Sequence, residues 1–344
     1  MKETNVALYR KYRPQKFSDV IEQDHIIKVL EGSIKLGNIS HAYIFSGSRG
    51  TGKTTVARIF ADAIGCTSND LYEIDAASNR GIDDIRELRE SVSTLPLESP
   101  YKVYILDEVH MLSKDAFNAL LKTLEEPPKH VIFILATTEN HKIPETVISR
   151  CQTFIFKKPS IKVLKKVIID TAKQEGYLID NTGAELMAIL GDGSFRDALG
   201  ILDKVISSNS KKKISIEDIE LVTGAPRENI VNDFVVAINS GDKIKGLRAV
   251  SQAKENNVDM KIYLKLILAK LRYVLILKNA KEMENQIMKE VSEEDFVFLK
   301  HTAEAKDSKI NSATLLEMLN VYDLLGKSYI EELPLELAVI KLTE

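Results

Sequence analysis

An α/β domain on a parallel sheet, continued by helical regions, is the architecture this sequence predicts. Three observations predict it. Short apolar runs alternate with helix-period segments through the first half, the pattern of strands joined by crossover helices. A glycine-rich loop lies between the first of those runs and the next helix. From Ser160 onward the periodicity is almost wholly helical.

The elements follow in order. Ala42–Ser46 reads as the first strand, and Thr54–Ile64 as its helix, with Val56, Ile59, Phe60 and Ala63 on one face. Leu71–Asp75 is a second strand. Ile82–Val92 is a helix entered through the turn residues Ser78-Asn79-Arg80-Gly81. Lys102–Leu106, Val131–Ala136 and Thr153–Phe156 complete five strands. Ile161–Gln174, with Ser160 as its N-cap, opens the helical part. Ala184–Leu190 and Phe195–Ile206 follow. Lys211–Lys213 is a charged loop, and Ser215 caps a helix reaching Val222. Thr223-Gly224-Ala225-Pro226 is a stop signal and a domain boundary. Beyond it, Glu228–Ser240, Lys243–Glu255, Asp259–Leu277 and Ser312–Ile330 read as helices, with a mixed stretch to about Thr302.

Composition bounds the function. A chain of 344 residues, 44% hydrophobic and 28% charged, suits two or three globular domains. Its net charge of -3 excludes a global basic field, so any nucleic acid would meet a local basic surface. No apolar run reaches the about 18 residues of a membrane span, and no signal-peptide pattern opens the chain. A cytoplasmic protein with no membrane partner is expected. Cys66 and Cys151 are too few for a four-cysteine zinc site. Reduced thiols suit that compartment, although sequence alone leaves a disulfide open.

Gly47-Ser48-Arg49-Gly50-Thr51-Gly52-Lys53-Thr54 fits G-x-x-x-x-G-K-[ST] between a strand and a helix. Its glycines let backbone N–H groups curl around phosphate oxygens, and the helix N-terminus adds its dipole. The cradle runs through Thr55. Lys53 reaches the β and γ phosphates, and the Thr54 hydroxyl is placed for magnesium. Tyr104-Ile105-Leu106-Asp107-Glu108 ends an apolar strand in two carboxylates, a costly arrangement unless they serve something charged. Asp107 is the expected magnesium residue, and Glu108 the group that orients the attacking water.

Three further residues carry two readings each. Thr138, after the next strand, either feels the γ-phosphate or caps a turn. Arg150, in Ser149-Arg150-Cys151, either reaches the phosphates of an adjacent subunit or is a surface arginine favoured by a helix C-terminus. Arg196 sits in a helix first turn, where a cation needs an anionic partner. That partner is a bound γ-phosphate or a salt bridge to Asp197 or Asp192.

These residues converge on a resemblance. The chain resembles the bacterial DNA polymerase III gamma/tau subunits, ATPases of the sliding-clamp loader within the AAA+ group. Five pieces carry the match: Leu8-Tyr9-Arg10-Lys11-Tyr12-Arg13-Pro14 with Phe17-Ser18-Asp19-Val20; the phosphate loop; Asp107-Glu108-Val109-His110-Met111-Leu112-Ser113; Phe117-Asn118-Ala119-Leu120-Leu121-Lys122-Thr123-Leu124-Glu125-Glu126-Pro127-Pro128; and Ser149-Arg150-Cys151 with Gly193-Ser194-Phe195-Arg196-Asp197-Ala198-Leu199. The match is strong to about residue 224 and positional beyond.

The resemblance implies an AAA+ P-loop domain over 1–158, a small helical lid over 159–224 and an all-α collar for oligomerisation over 225–344. It implies ATP and Mg2+ as ligands, with Arg10 and Arg13 on the adenine side. It makes Arg150 the trans arginine of a hetero-oligomeric ring and Arg196 the cis sensor. Its partners would be other clamp-loader subunits, the sliding clamp and primed DNA. Arg80, beside a helix N-terminus, would grip a DNA phosphate without reading bases, although an ordinary N-cap turn reads the same. Two departures stand out. Gly65-Cys66-Thr67-Ser68-Asn69-Asp70 replaces the family's zinc module, so no zinc is expected. The chain stops just after the expected collar, so no tau-like extension is expected either. A non-hydrolysing scaffold subunit and an AAA+ branch-migration helicase are the alternatives. The complete phosphate loop and acid pair argue against the first, and the long apolar helices after residue 225 against the second.

Overall fold

The computed structural model describes residues 6–209, 211–288 and 290–344. The chain forms two compact units. The first runs to Ser160 and takes in Gly193–Asp197; the second holds Ile161–Asp192 and Ala198–Glu344.

The first unit is α/β. Its elements are α1 (Leu8–Lys11), α2 (Asp24–Lys35), β1 (Ala42–Ser46), α3 (Lys53–Ala63), β2 (Leu71–Asp75), α4 (Ile82–Val92), β3 (Lys102–Asp107), α5 (Lys114–Glu125), β4 (Val131–Thr137), α6 (Glu145–Ile148) and β5 (Gln152–Ile155). The strands pair in the order β2-β3-β4-β1-β5, every pair parallel. β1 and β4 are buried along their whole length, which explains why they read as continuous apolar runs. Tyr43, Phe45, Val103, Ile105, Ile132 and Ile134 cover one face of the sheet, packed by Val56 and Phe60 of α3 and by Ile26 and Leu30 of α2. Ile44, Tyr104, Leu106, Phe133 and Leu135 cover the other, packed by Ile85 and Leu88 of α4 and by Phe117, Leu120 and Leu124 of α5. Each such buried side chain contributes roughly 1.5–3 kcal/mol.

The second unit is helical: α7 (Ile161–Gln174), α8 (Asn181–Leu190), α9 (Phe195–Ser208, its first residues belonging to the first unit), α10 (Ile216–Thr223), α11 (Glu228–Ser240), α12 (Lys243–Glu255), α13 (Met260–Asn279), α14 (Glu284–Ile287), α15 (Glu293–Glu304), α16 (Ser312–Leu324) and α17 (Leu333–Thr343). Phe234, Tyr263, Leu264, Ile267, Leu271 and Val274 form its centre.

Several elements differ from expectation. β5 covers Gln152–Ile155, one residue earlier than predicted. α8 begins at Asn181 because the Asp180 carboxylate accepts from the Gly183 amide at 2.7 Å. A short parallel pair joins β6 (Leu178–Ile179), in the link between two predicted helices, to β7 (Lys213–Ile214), at the end of the charged loop. Two residues are too few for a period-2 pattern, so tertiary pairing alone specifies them. The predicted helix to Ile330 ends at Leu324, where Leu325 turns extended (ψ 126°) ahead of a left-handed Gly326. Helices α1, α2, α14, α15 and α17 are not among those the sequence predicts.

Candidate functional site

The sheet order builds the site. Three strands, β1, β4 and β3, end side by side, so whatever follows each meets the others. After β1 comes the phosphate loop, tied to β4 by the Gly47 amide donating to Thr137 O at 3.1 Å. Gly47, Gly50 and Gly52 all take positive φ. A Cβ on Gly50 would lie 1.9 Å from Ser194 Oγ, so that close approach admits only glycine. Gly50 O also accepts from the Phe195 amide at 3.0 Å. The Gly193–Asp197 segment therefore packs on the phosphate loop within one unit. Gly52 caps α3 with no side-chain bond, so Lys53, Thr54 and Thr55 open a helix end without an acidic cap. Inside the loop, the Thr51 hydroxyl donates to Ser48 O at 2.9 Å.

Lys53 is only 6% exposed. Its ammonium donates to Gly47 O at 2.8 Å and to Ser48 O at 3.0 Å. Burial holds it below lysine's usual range, while Glu108 and Asp107 pull the other way. A cation desolvated in this way suits an anion better than it suits an empty loop. The Thr54 hydroxyl donates to Asp107 Oδ2 at 2.8 Å. A hydroxyl and a carboxylate that meet at a loop for anions fit magnesium, a cation that takes oxygen ligands.

Asp107 Oδ1 accepts from the Glu108 amide at 3.0 Å. Glu108 has φ 49°, a left-handed backbone that costs of order 1–3 kcal/mol outside glycine. Its Oε2 accepts from the Thr138 hydroxyl at 3.0 Å. Thr138 thus touches the second acid, as its place after the strand between β1 and β3 dictates.

The arginines divide. Arg196 lies over the Tyr9 ring at 5.0 Å, and Arg10 at 5.8 Å. Hydrogen bonding from Arg196, then from Arg10, draws the Tyr9 hydroxyl below its ordinary value. Burial lowers Arg13, and the charge of Arg58 adds to the effect. Arg58 itself pairs with Glu73 at 2.5 Å. Arg10, Arg58 and Arg196 all act on Arg13 through charge, and Arg196 lies against Gly50, so a cationic cluster borders the loop. Arg150 lies elsewhere in the unit. It donates to Glu125 Oε1 at 2.8 Å and to Thr146 O at 2.6 Å. Arg80 donates to Ala77 O at 2.6 Å. The Gly81 amide at the start of α4 already donates to Asp84 Oδ2 at 3.0 Å, and Asp83 stands beside it. A phosphate at that helix end would have to displace Asp84. Both cysteines are free thiols, and burial pushes Cys151 up to about 12.

Sequence reasoning missed Tyr9, Ser194 and Arg58. Tyr9 lies inside the N-terminal run that was read for its arginines. In sequence, Ser194 looks like an ordinary serine ahead of a helix, and it does cap α9 by accepting from the Asp197 amide at 3.1 Å.

Parallel order, phosphate loop and strand-end acids together define a P-loop protein of the AAA+ class. Among solved structures, the Thermotoga maritima RuvB Holliday junction branch migration motor shares the fold, with a TM-score of 0.52 and 22% identity over 66% of this chain and 79% of that one. A family model described as DNA polymerase III, delta subunit, matches residues 22–80 and 68–160. DNA polymerase III subunit tau of Bacillus subtilis is 38% identical over 98% of this chain, and the gamma/tau subunit of Mycoplasma pneumoniae 40% over 76%. The chain belongs to the bacterial DNA polymerase III gamma/tau family. It spans 63% of the length of the first relative and 42% of the second.

Proposed function

We propose that this chain is the ATPase subunit of a DNA polymerase III clamp loader, which uses ATP to place a sliding clamp on primed DNA. The observation that supports it most is the convergence of Lys53, Thr54, Asp107, Glu108 and Thr138 at three adjacent strand ends. The loop amides and Lys53 bind the phosphates of ATP, with Arg10, Arg13 and Tyr9 flanking the nucleotide. Thr54 and Asp107 would hold Mg2+, which when bound neutralises charge on the phosphate oxygens. Glu108 orients the water. Arg196, resting on Tyr9 and beside Gly50, reads the occupied loop.

Arg150 bonds to Glu125 and Thr146 instead of to its own loop, which suits a residue offered to a neighbouring subunit. The division into a nucleotide-binding domain over 1–158, a lid over 159–224 and a collar over 225–344 belongs to this reading. So do the other loader subunits and primed DNA as partners, with Arg80 as a phosphate contact. The likeness to RuvB is one of fold and carries no function. The test is an assembled complex with Arg150→Ala, assayed for ATP turnover with clamp and primed DNA. Turnover is expected to fall by about 10³–10⁵. Unchanged turnover would sink the reading.

A further inference from the structure

Glu108 has a second anchor. His110 lies on the short turn Val109–Met111 directly after the acid pair, and its side chain is only 6% exposed. Its Nδ1 is 3.1 Å from Thr137 Oγ1 and 3.5 Å from Glu108 Oε2. Its Nε2 is 3.3 Å from Glu139 Oε1. One buried ring therefore stands between two carboxylates, and each of its nitrogens faces one of them.

The far carboxylate is itself fixed. Glu139 pairs with Lys142 at 2.9 Å, and His141 stands 3.7 Å away. The Glu139 amide donates to Thr137 Oγ1 at 3.0 Å. Thr137, Thr138 and Glu139 are consecutive at the end of β4, so one rigid turn braces the ring and also supplies the Thr138 bond to Glu108. The near carboxylate is less secure. Glu108 sits on a left-handed backbone outside any helix, where rotamer packing against a preceding turn gives no help. One hydrogen bond from Thr138 leaves a carboxylate free to swing about that contact. The Nδ1 edge of His110, packed 3.5 Å from that same oxygen, restricts the swing.

We propose that His110 is a positioning residue for Glu108: its Nδ1 edge, braced by Thr137 and anchored through Nε2 to Glu139, sets the direction of the Glu108 carboxylate. The inference rests on Glu108 orienting the attacking water. Nothing in it requires His110 to touch nucleotide, so its loss should spare binding and lower turnover. Misplacing a reacting group by about 1 Å costs on the order of 10²-fold.

The experiment compares His110→Ala, His110→Asn and His110→Gln in the full chain assembled with its partner subunits. Turnover and nucleotide dissociation constant are measured together. An asparagine amide falls near the position of Nδ1 and preserves the Glu108 and Thr137 side. A glutamine amide falls near Nε2 and preserves only the Glu139 side. The alanine variant is expected to lose about 10–100-fold in turnover with nucleotide affinity unchanged. Asparagine should recover most of that loss and glutamine little. Normal turnover by the alanine variant overturns the inference, as does equal behaviour of the asparagine and glutamine variants, or a loss confined to affinity. A wild-type complex that binds nucleotide without turning it over would remove the proposed function itself, and this inference with it. Normal wild-type turnover beside an unimpaired alanine variant removes the inference alone.

Discussion

Each unit buries a lysine near two carboxylates, and the two lysines are satisfied in opposite ways. Lys270, 12% exposed in the helical unit, bonds Glu228 at 3.2 Å, Asn232 at 2.7 Å and Asp295. Those partners lie on α11 and α15, so α13 pins both neighbours through one ammonium. Every donor of Lys270 has a protein acceptor. Lys53 instead donates to two carbonyls of its own loop, and Glu108 and Asp107 act on it through charge without a bond. Carbonyl bonds of this kind are worth about 1 kcal/mol each and are readily exchanged for a phosphate. A buried cation consumed by its own fold is a staple. One resting on backbone oxygens is held in reserve for a ligand.

The largest expected effect tests the staple. Lys270→Met should destabilise the protein by about 2–4 kcal/mol, because the partly buried Asp295 and the more exposed Glu228 lose their cation and Asn232 loses a donor. Denaturant unfolding measures the loss, and nucleotide affinity should stay unchanged. A loss under about 1 kcal/mol would break the comparison. Lys53→Met should do the reverse. Turnover of the assembled complex should fall by about 10²–10³. Unfolding free energy without nucleotide should hold within about 1 kcal/mol or rise, since folding already penalises that charge. A clear drop in stability would show that Lys53 is a staple too.

The two units also differ in how much of them the sequence discloses. The phosphate loop and the Asp107-Glu108 pair are local patterns. Spacing alone places them between a strand and a helix or at a strand end, and five strands follow from their apolar runs. What spacing does not disclose is strand order. Only when β4 lies between β1 and β3 do Thr138 and Glu108 meet, or Gly47 and Thr137. The approach of Ser194 to Gly50 is likewise a long-range fact. It shows itself in sequence only as a glycine already explained by the loop. In the helical unit, periodicity located Glu228–Ser240 and Lys243–Glu255 to the residue. It missed α15 and α17. It also gave no hint that Lys270 was a hub, because a lysine on an apolar helix reads as a residue that lifts its charge into water.

The smallest effect sharpens the comparison through two aspartates, Asp70 buried and Asp295 partly buried. Asp70, in the first unit, is raised by burial but more strongly lowered by amides of Glu98, Leu97 and Ser99 at 2.6–2.9 Å, and stands at about 2. Its folded value lies below the ordinary one of about 3.9, so its contribution is present above about pH 4 and fades toward pH 2. Asp295 is pushed up to about 6 by burial, with Lys270 opposing and Glu228 adding to the rise. Here the folded state holds the proton more tightly, so stability declines as pH climbs from about 4 to 6. Asp295→Asn removes that titration. The variant should gain on wild type by roughly 1–2 kcal/mol as pH rises from about 4 to 7, read from denaturant unfolding at each pH. A difference that stays flat across the window would mean that Lys270 keeps both acids ionised at no cost. The helical unit's lysine would then be a staple matched to two charges, whereas a sloping difference marks it as matched to one.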